Sequence, residues 1–198
     1  MTYELVVVGA SWGGVAALRR VLHLLPPEFD LPIAIVQHRG PSFGPDTLVR
    51  LLRESARSPV SEPEDKEPIL RGRVYVAPPE YHLLVEPGAF ALSTDARVRY
   101  ARPSIDVLFE SAANAYGARV VGTLLTGAND DGARGAARIK AAGGAVVVQA
   151  PESAERGELP AAAIAATDPD GVLPLDEIAP FLAGLAQRRT EPRAGRTA

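Results

Sequence analysis

Ser11 is the first residue whose surroundings suggest chemistry. It stands in the pattern Gly9-x-Ser11-x-Gly13, directly after an apolar run. This spacing is typical of a nucleophile elbow, in which a sharp strand-to-helix turn exposes the serine hydroxyl and the glycines remove Cβ clashes. A helix that begins near Gly14 would point its free N–H groups at that serine and favour a developing oxyanion. The pattern predicts covalent acyl chemistry, and a tight turn in a parallel sheet is the alternative interpretation.

A histidine and two aspartates follow other apolar runs. His38 ends the second such run, and Asp130 and Asp131 come shortly after a later one. Because ligands of open parallel α/β sheets bind outside the carboxyl ends of the strands, Ser11 and His38 are expected to be neighbours. The aspartates could cap the next helix, bind a divalent cation through their oxygens, or orient His38. Spacing alone does not choose among these roles.

Three further polar residues are interpreted as structural. His82 begins the first strand of a predicted hairpin, and a structural or surface role is favoured over a reach into the site. Ser104 is predicted to cap the helix that follows Pro103, where its hydroxyl would accept a free N–H. Asp106 then lies in the first turn of that helix, where a carboxylate interacts favourably with the helix dipole.

The elements that must position these side chains alternate between strand and helix. Strands are predicted at residues 5–10, 31–38, 72–79, 119–125, 145–149 and 171–174, and helices at 14–25, 47–55, 105–116, 133–142, 161–166 and 176–187. Residues 82–86 and 90–93 predict a β-hairpin around Pro87-Gly88. This alternation predicts an α/β fold with three α/β/α layers, a doubly wound, mostly parallel sheet and a peripheral hairpin.

Length and composition restrict the remaining possibilities. With 198 residues the chain is expected to form one domain over residues 1–187, followed by a flexible basic tail at 188–198. The net charge of −3, with both signs interspersed, disfavours bulk nucleic-acid binding. The absence of cysteine excludes disulfides, thiolate catalysis and cysteine metal sites. No segment approaches the length of a membrane span, so a cytoplasmic protein without membrane insertion is predicted.

Nucleotide binding is a weaker interpretation of the same residues. In Gly9–Gly14, Ser11 replaces the second glycine of the dinucleotide-binding pattern, and Gln37-His38 stand where an acidic ribose ligand is expected. No Walker motif is present in the sequence. The order Ser, His, Asp also differs from the Ser, Asp, His order of α/β-hydrolases, so lipases and esterases of that fold are a poor match.

Several ordered motifs resemble a known family. They are Gly9–Gly14, Gln37-His38, Arg102–Phe109, Leu125–Ala133 and Gln149–Ser153. Together they are similar to the catalytic domain of CheB, the protein-glutamate methylesterase of bacterial chemotaxis. The resemblance covers approximately residues 4–185 of the chain.

The resemblance implies a role for each matching residue. Ser11 matches the nucleophile, His38 the general base and Asp131 the orienting carboxylate, whereas Asp130 falls on a neighbouring position without that role. It also places the backbone N–H groups of Trp12 and Ala128 at the oxyanion. The reaction so implied needs neither a metal nor a cofactor.

The chain departs from the family pattern in three respects. Trp12 and Ala128 stand where threonine and methionine are usual, and Leu159-Pro160 replaces Met-Pro. Trp12 cannot supply a hydroxyl to the oxyanion, although its backbone N–H is still available. The changes at Ala128 and at Leu159-Pro160 are expected to alter the wall of the cleft more than the chemistry. The chain also reaches its first strand almost at once, with no receiver domain before it. We therefore expect an enzyme that is constitutive or gated by a separate receiver or methyltransferase protein.

The expected substrates are acidic, methylated helices of chemoreceptor cytoplasmic domains, and deamidation of glutamine is a second family activity. Arg39, Arg102 and Arg134 flank the proposed cleft and are candidates for steering such helices, or are ordinary solvated charges. Two other functions stay open at this point. One is a non-catalytic adaptor of a chemosensory complex, and the other is a small-molecule esterase or amidase.

Overall fold

The computed structural model describes residues 2–39 and 46–187, and its elements alternate between strand and helix. The strands are β1 (Leu5–Ala10), β2 (Ile33–Gln37), β3 (Val60–Ser61), β4 (Val74–Val76), β5 (His82–Glu86), β6 (Ala89–Ser93), β7 (Val120–Leu124), β8 (Ala145–Gln149) and β9 (Gly171–Leu173). The helices are α1 (Gly14–Leu24), α2 (Thr47–Arg53), α3 (Ile105–Tyr116), α4 (Ala133–Ala141), α5 (Glu158–Ala166) and α6 (Leu175–Gln187).

Strand β1 lies at the centre of a seven-stranded parallel sheet with the order β3-β4-β2-β1-β7-β8-β9. The chain builds one half outward from β1 through β2, then returns to build the other half from β7. The strand order therefore reverses at β1, and such a switch point is where ligands bind in this class of fold. The carboxyl ends of β2, β1 and β7 lie side by side at this point.

Side chains of β1 alternate between two hydrophobic cores. Val6 and Val8 pack in a core that contains Leu18 and is covered by α1, α2 and α6. Val7 packs in a second core that contains Phe109 and is covered by α3, α4 and α5. Burying each such side chain contributes roughly 1.5–3 kcal/mol. The three layers and the parallel sheet confirm the predicted fold class.

The predicted hairpin forms a separate two-stranded sheet. Strands β5 and β6 are antiparallel, and Val85 pairs with Phe90 in their register. Phe90 is fully buried and its ring centroid lies 4.8 Å from that of Tyr75. The Val85 N–H donates to the hydroxyl of Ser111 on α3 at 3.0 Å. The hairpin is therefore fixed to α3, at the periphery of the parallel sheet.

Besides shifted ends at β4 and α2, two differences from the sequence prediction have a clear physical reason. Strand β3 was not predicted, because only its first residue is apolar and buried and the surrounding segment is polar. Helix α5 begins at Glu158 rather than Ala161, with Pro160 in its first turn. Proline is tolerated there because the first N–H groups of a helix have no intrahelical acceptor.

The predicted tail at 188–198 lies outside the described residues. Within residues 2–39 and 46–187, no helix combines the length and the apolarity that crossing a bilayer requires.

Helices α3 and α4 approach each other closely at Gly135, so Gly135→Ala should destabilise the fold. A Cβ atom added there would lie 2.5 Å from the Cβ of Phe109 and 3.2 Å from the backbone of Asp106. Overpacking of this kind costs about 1–3 kcal/mol. We expect a lower free energy of unfolding, measured by urea denaturation.

Gly184 in α6 is the matched control. Within residues 2–39 and 46–187, a Cβ atom at Gly184 would meet no atom within 4 Å apart from the adjacent backbone of its own helix. Gly184→Ala should therefore raise the free energy of unfolding by about 0.5–1 kcal/mol through helix propensity alone. A Gly135→Ala protein that is as stable as the Gly184→Ala protein would contradict the close approach of α3 and α4.

Candidate active site

Ser11 occupies a sharp turn between β1 and α1. Gly13 has a left-handed φ of 75°, and the Gly14 N–H donates to the Ser11 carbonyl at 2.9 Å. The Ser11 N–H donates across the sheet to the carbonyl of Thr126, also at 2.9 Å. There is no room for a side chain at Gly14, because a Cβ atom there would lie 2.0 Å from Oε1 of Gln37. These contacts fix the serine between the ends of β1 and β7.

His38 is the first residue after β2 and lies beside Ser11. Its N–H donates to the carbonyl of Ala10 at 3.0 Å. On the ring, Nδ1 lies 3.3 Å from Ser11 Oγ and Nε2 lies 2.8 Å from Asp131 Oδ2. A hydrogen on Nε2 would face the carboxylate and leave Nδ1 as the acceptor for the serine proton. The Asn129 amide nitrogen, at 3.4 Å, also approaches Nδ1.

Asp131 is held at the first turn of α3. Its buried carboxylate accepts hydrogen bonds from Ser104 Oγ at 2.8 Å, from the Ile105 N–H at 2.8 Å and from the Asp106 N–H at 3.1 Å. Burial by itself would raise the pKa of the Asp131 carboxyl, but the hydrogen bonds from His38 and from the two N–H groups outweigh it. The pKa of Asp131 therefore lies below its ordinary value, and the carboxylate is ionised beside His38.

The two neighbouring aspartates have different environments. Asp131 contacts His38, whereas Asp130 is half-exposed and pairs with Arg99. Among residues 2–39 and 46–187, no group of three or more histidine, aspartate or glutamate side chains is arranged to hold a metal ion. Of the three roles that spacing left open, the geometry favours orientation of His38 by Asp131.

A second serine and histidine also lie near Asp131, but they do not form a relay. The Ser104 hydroxyl donates to Asp131 itself, and Nδ1 of His82 accepts from the Ser104 N–H at 3.2 Å rather than from its hydroxyl. Ser104 is completely buried and His82 is 1% exposed, so neither can meet a substrate. His82 thus has a structural role, and it fixes the first turn of α3 against the hairpin.

Asp106 has a larger role than the dipole interaction predicted from sequence. Its buried carboxylate leaves its own helix and accepts from the N–H groups of Gly132 at 2.9 Å and Gly135 at 2.8 Å. It therefore caps α4 and holds the turn that carries Asp131. Burial and the charge of Asp131 raise the pKa of the Asp106 carboxyl above its ordinary value. The hydrogen bonds from the Gly132 and Gly135 N–H groups act in the opposite direction but do not outweigh them.

Gln37 links the serine and the histidine, and sequence reasoning did not assign it this role. Its side-chain amide is buried and donates to the Ser11 carbonyl and to the His38 carbonyl, both at 2.7 Å. One NH₂ group thus ties the backbone of the two residues together. Only its position directly before His38 could have drawn attention to it.

A cavity of about 450 Å³ opens beside Ser11 and His38, and Trp12 and Ala128 are in its wall. The indole of Trp12 is 60% exposed and donates through Nε1 to Glu155 at 2.8 Å. The loop that carries Ala128 approaches the serine closely, because a Cβ atom on Gly127 would lie 2.9 Å from the Ser11 Cβ. Both residues predicted to serve an oxyanion therefore adjoin Ser11.

The three predicted arginines have different positions. Arg39 and Arg102 line the cavity, whereas Arg134 is not in its wall and pairs with Glu110. The Arg39 guanidinium is almost buried, and it donates to Glu62 at 3.0 Å and to a backbone carbonyl. Two arginines that the sequence analysis did not single out, at positions 97 and 99, also line the cavity. They are on a loop whose position depends on packing between distant segments.

Comparison with known proteins gives consistent matches. The family model described as CheB methylesterase matches residues 6–182. A protein of Leptospira interrogans serogroup Icterohaemorrhagiae serovar copenhageni is 46% identical over 194 residues, which are 98% of this chain and 100% of that protein. Its provisional name is protein-glutamate methylesterase/protein-glutamine glutaminase. The protein-glutamate methylesterase/protein-glutamine glutaminase 2 of Caulobacter vibrioides is 39% identical over 189 residues, 93% of this chain.

This chain covers 54% of the Caulobacter protein, so it spans about half the length of that relative. Among solved structures, the Thermotoga maritima CheB methylesterase catalytic domain superposes with a TM-score of 0.87 at 32% identity. The match covers 93% of this chain and 100% of that domain. The similarity therefore extends through the whole fold.

Proposed function

Since the chain belongs to the CheB methylesterase family, we propose that it hydrolyses methyl esters of glutamate side chains in chemoreceptor proteins and releases methanol. The observation that carries this proposal is the contact series from Ser11 through His38 to Asp131, with distances of 3.3 and 2.8 Å. In that order the three side chains have the geometry of a serine hydrolase relay. Ser11 and His38 also line the cavity in which a substrate ester would lie, whereas Asp131 is buried behind His38.

The first half-reaction forms an acyl-enzyme. His38 accepts the Ser11 proton at Nδ1 while Ser11 Oγ attacks the ester carbonyl, and Asp131 stabilises the imidazolium through Nε2. The N–H groups of Trp12 and Ala128 are the proposed donors to the oxyanion. Removing one such donor typically costs about 2.7–4 kcal/mol in the barrier. The proton then passes from His38 to the departing methoxide, which leaves as methanol.

The second half-reaction returns the free enzyme. A water molecule gives its proton to His38 and attacks the acyl carbon, and the glutamate carboxyl group leaves Ser11 as the serine regains its proton. The net reaction consumes one water for each ester. A glutamine side chain would follow the same path with ammonia as the leaving group, in agreement with the double name of the relatives.

The charge around the cavity supports an acidic protein substrate. Among the described residues, its wall contains four arginines and one carboxylate, that of Glu80. Positive charge around a cleft raises the rate at which acidic segments associate. The methylated helices of chemoreceptor cytoplasmic domains are such segments, and the cytoplasm is the proposed location.

The proposal is tested by incubating the purified protein with a methylated receptor fragment and, separately, with a simple aryl ester. We expect methanol release from the fragment by the parent protein and none above background with Ser11→Ala. Binding of the fragment without methanol release would favour the adaptor function. Turnover of the aryl ester alone would favour a small-molecule esterase.

A further inference from the structure

A two-residue turn at the rim of the cavity has an unusual backbone. Val98 and Ala101 exchange hydrogen bonds, N–H to carbonyl, of 3.1 and 2.8 Å. The two residues between them are left-handed, with φ of 48° at Arg99 and 66° at Tyr100. Turns of this type are usually built from Asn-Gly, because residues with larger side chains are strained there. An arginine and a tyrosine in consecutive left-handed positions are therefore costly, at about 1–3 kcal/mol each.

Arginines of the loop around the strained turn make hydrogen bonds and ion pairs with neighbouring groups. Arg102 donates to the Thr94 carbonyl at 2.7 Å and to the Asp95 carbonyl at 3.0 Å. Arg97 donates to Glu80 at 2.8 Å, and Arg99 pairs with Asp130. The Arg102 contacts close the loop on itself, whereas those of Arg97 and Arg99 connect it to Glu80 and to Asp130.

Tyr100 is the exception within this loop. Its residue is 94% exposed, and its side chain makes no hydrogen bond to any part of residues 2–39 and 46–187. The tyrosine nevertheless lines the same cavity as Ser11. A ring at this strained position therefore makes almost no contact within the described chain, and this points to a contact with a binding partner. Strain that clusters beside a site in this way indicates a function.

Trp12 offers a second exposed ring in the wall of the same cavity. It is 60% exposed, and besides its bond to Glu155 it lies under the Arg156 guanidinium, 5.8 Å from the ring centroid. The indole is therefore held in place before anything binds. Preorganised aromatic rings give large contact areas at low entropic cost.

The charges beside the two rings define the chemistry of the partner. Arg97, Arg99 and Arg102 lie in the same loop as Tyr100 and line the cavity, where Glu80 is the only carboxylate among the described lining residues. Glu80 is shared, since it accepts from Arg97 at 2.8 Å and from Arg102 at 3.2 Å. Rings that can cover alkyl groups, surrounded by an excess of guanidinium groups, suit a segment rich in glutamate.

We propose that Tyr100 and Trp12 form a docking surface for the acidic segment that surrounds the esterified glutamate of the substrate. The rings contact the side-chain methylene groups of that segment, and the loop arginines contact its free carboxylates. The inference rests on the proposed methylesterase function and adds the residues that select a protein substrate over a small ester. It makes the exposed turn a determinant of KM, whereas the Ser11 relay determines kcat.

The test compares a methylated receptor fragment with a blocked single-residue substrate, N-acetyl glutamate γ-methyl ester N-methylamide. Tyr100→Gly removes the ring and also relieves the left-handed backbone. We expect its kcat/KM for the fragment to fall about tenfold or more through KM, and that for the single-residue ester to stay within about twofold. Its thermal midpoint should not fall, so unfolding cannot explain the loss.

Three comparisons control the measurement. Tyr100→Phe should retain most of the fragment activity because the ring is kept. Leu70→Ala truncates a side chain that is 48% exposed but not in the cavity wall, and it should change neither substrate's kcat/KM. A fragment whose unmethylated glutamates next to the ester are changed to glutamine should be a poorer substrate for the parent protein.

Each alternative result has a separate meaning. Unchanged fragment kinetics in Tyr100→Gly, or equal losses with both substrates, would overturn the docking surface while leaving the proposed function intact. Equal kinetics with the glutamine-substituted fragment would overturn its acidic specificity. If the parent protein releases no methanol from the fragment, the proposed function fails and the docking surface fails with it.

Discussion

Ser11→Ala should lower kcat for methanol release by about 10⁶-fold, the loss typical when the nucleophile of a serine hydrolase is removed. The Ser11 hydroxyl lies 3.3 Å from His38 Nδ1, and among the described residues no other hydroxyl is hydrogen-bonded to that nitrogen. The free energy of unfolding should change little, because the Ser11 hydroxyl makes no hydrogen bond to any described side chain other than His38. Single-turnover methanol release and urea denaturation would measure the two quantities.

Ser104→Ala is the matched serine control. It removes one hydrogen bond to Asp131 but leaves those from His38, Ile105 and Asp106. Loss of a hydrogen bond to a charged group costs about 1.5–3 kcal/mol, so kcat should fall by at most about a hundredfold. If Ser104→Ala were the more damaging of the two changes and Ser11→Ala retained turnover, the proposed nucleophile would be wrong.

A double variant separates a relay from independent contributions. If Ser11 and His38 act as one unit, adding His38→Ala to Ser11→Ala should cost almost nothing further. Losses that multiply would show that His38 acts in another step. The same single-turnover assay measures this difference.

The sequence predicted the carboxyl ends of β1, β2 and β7 to within one residue, because buried parallel strands are continuous apolar runs and polar residues that follow them are conspicuous. Ser11 and His38 follow β1 and β2 without an intervening residue. Ser11 and His38 then lie close together because the residues before them, Ala10 and Gln37, are paired in the sheet. Parallel pairing of β1 with β7 likewise brings the later aspartate turn to the same edge.

Contacts that depend on helix packing were beyond the reach of sequence patterns. The role of Asp106 was predicted only from its position in α3. Its carboxylate in fact caps α4 by accepting from the Gly132 N–H, a contact that depends on how α3 and α4 cross. The loop with Arg97 and Tyr100 has no periodicity, and its place at the cavity depends on bonds to segments on either side of it. Hydrophobic periodicity reports which face of an element is buried, not which distant loop it meets.

Asp131→Asn should lower kcat by about 10⁴-fold without displacing the serine or the histidine. The carboxylate accepts from His38 Nε2 and from the Ile105 N–H through the same oxygen, Oδ2. An asparagine cannot accept at both of its terminal atoms, because one of them is an NH₂ group. With the amide nitrogen toward His38, the ring would carry its proton on Nδ1 and could not accept the proton of Ser11.

The pH dependence of stability gives an independent measurement on the same variant. The folded-state pKa of Asp131 lies below the ordinary value of 3.8, so its ionised form stabilises the fold above that pH. The stability advantage of the parent protein over Asp131→Asn should therefore be constant near neutrality. It should shrink as the pH falls below 3.8 and through the lowered pKa of the folded state.

Asp130→Asn provides the comparison that decides between the two adjacent aspartates. Asp130 is half-exposed, pairs with Arg99 and makes no contact with His38. Its kcat on the single-residue ester should fall by about twofold at most, since an exposed ion pair contributes little. Because the two substitutions are chemically identical and one residue apart, a general effect of lost charge would lower both rates alike. Equal losses would show that orientation of His38 by Asp131 is not the source of the rate, and would refute the relay.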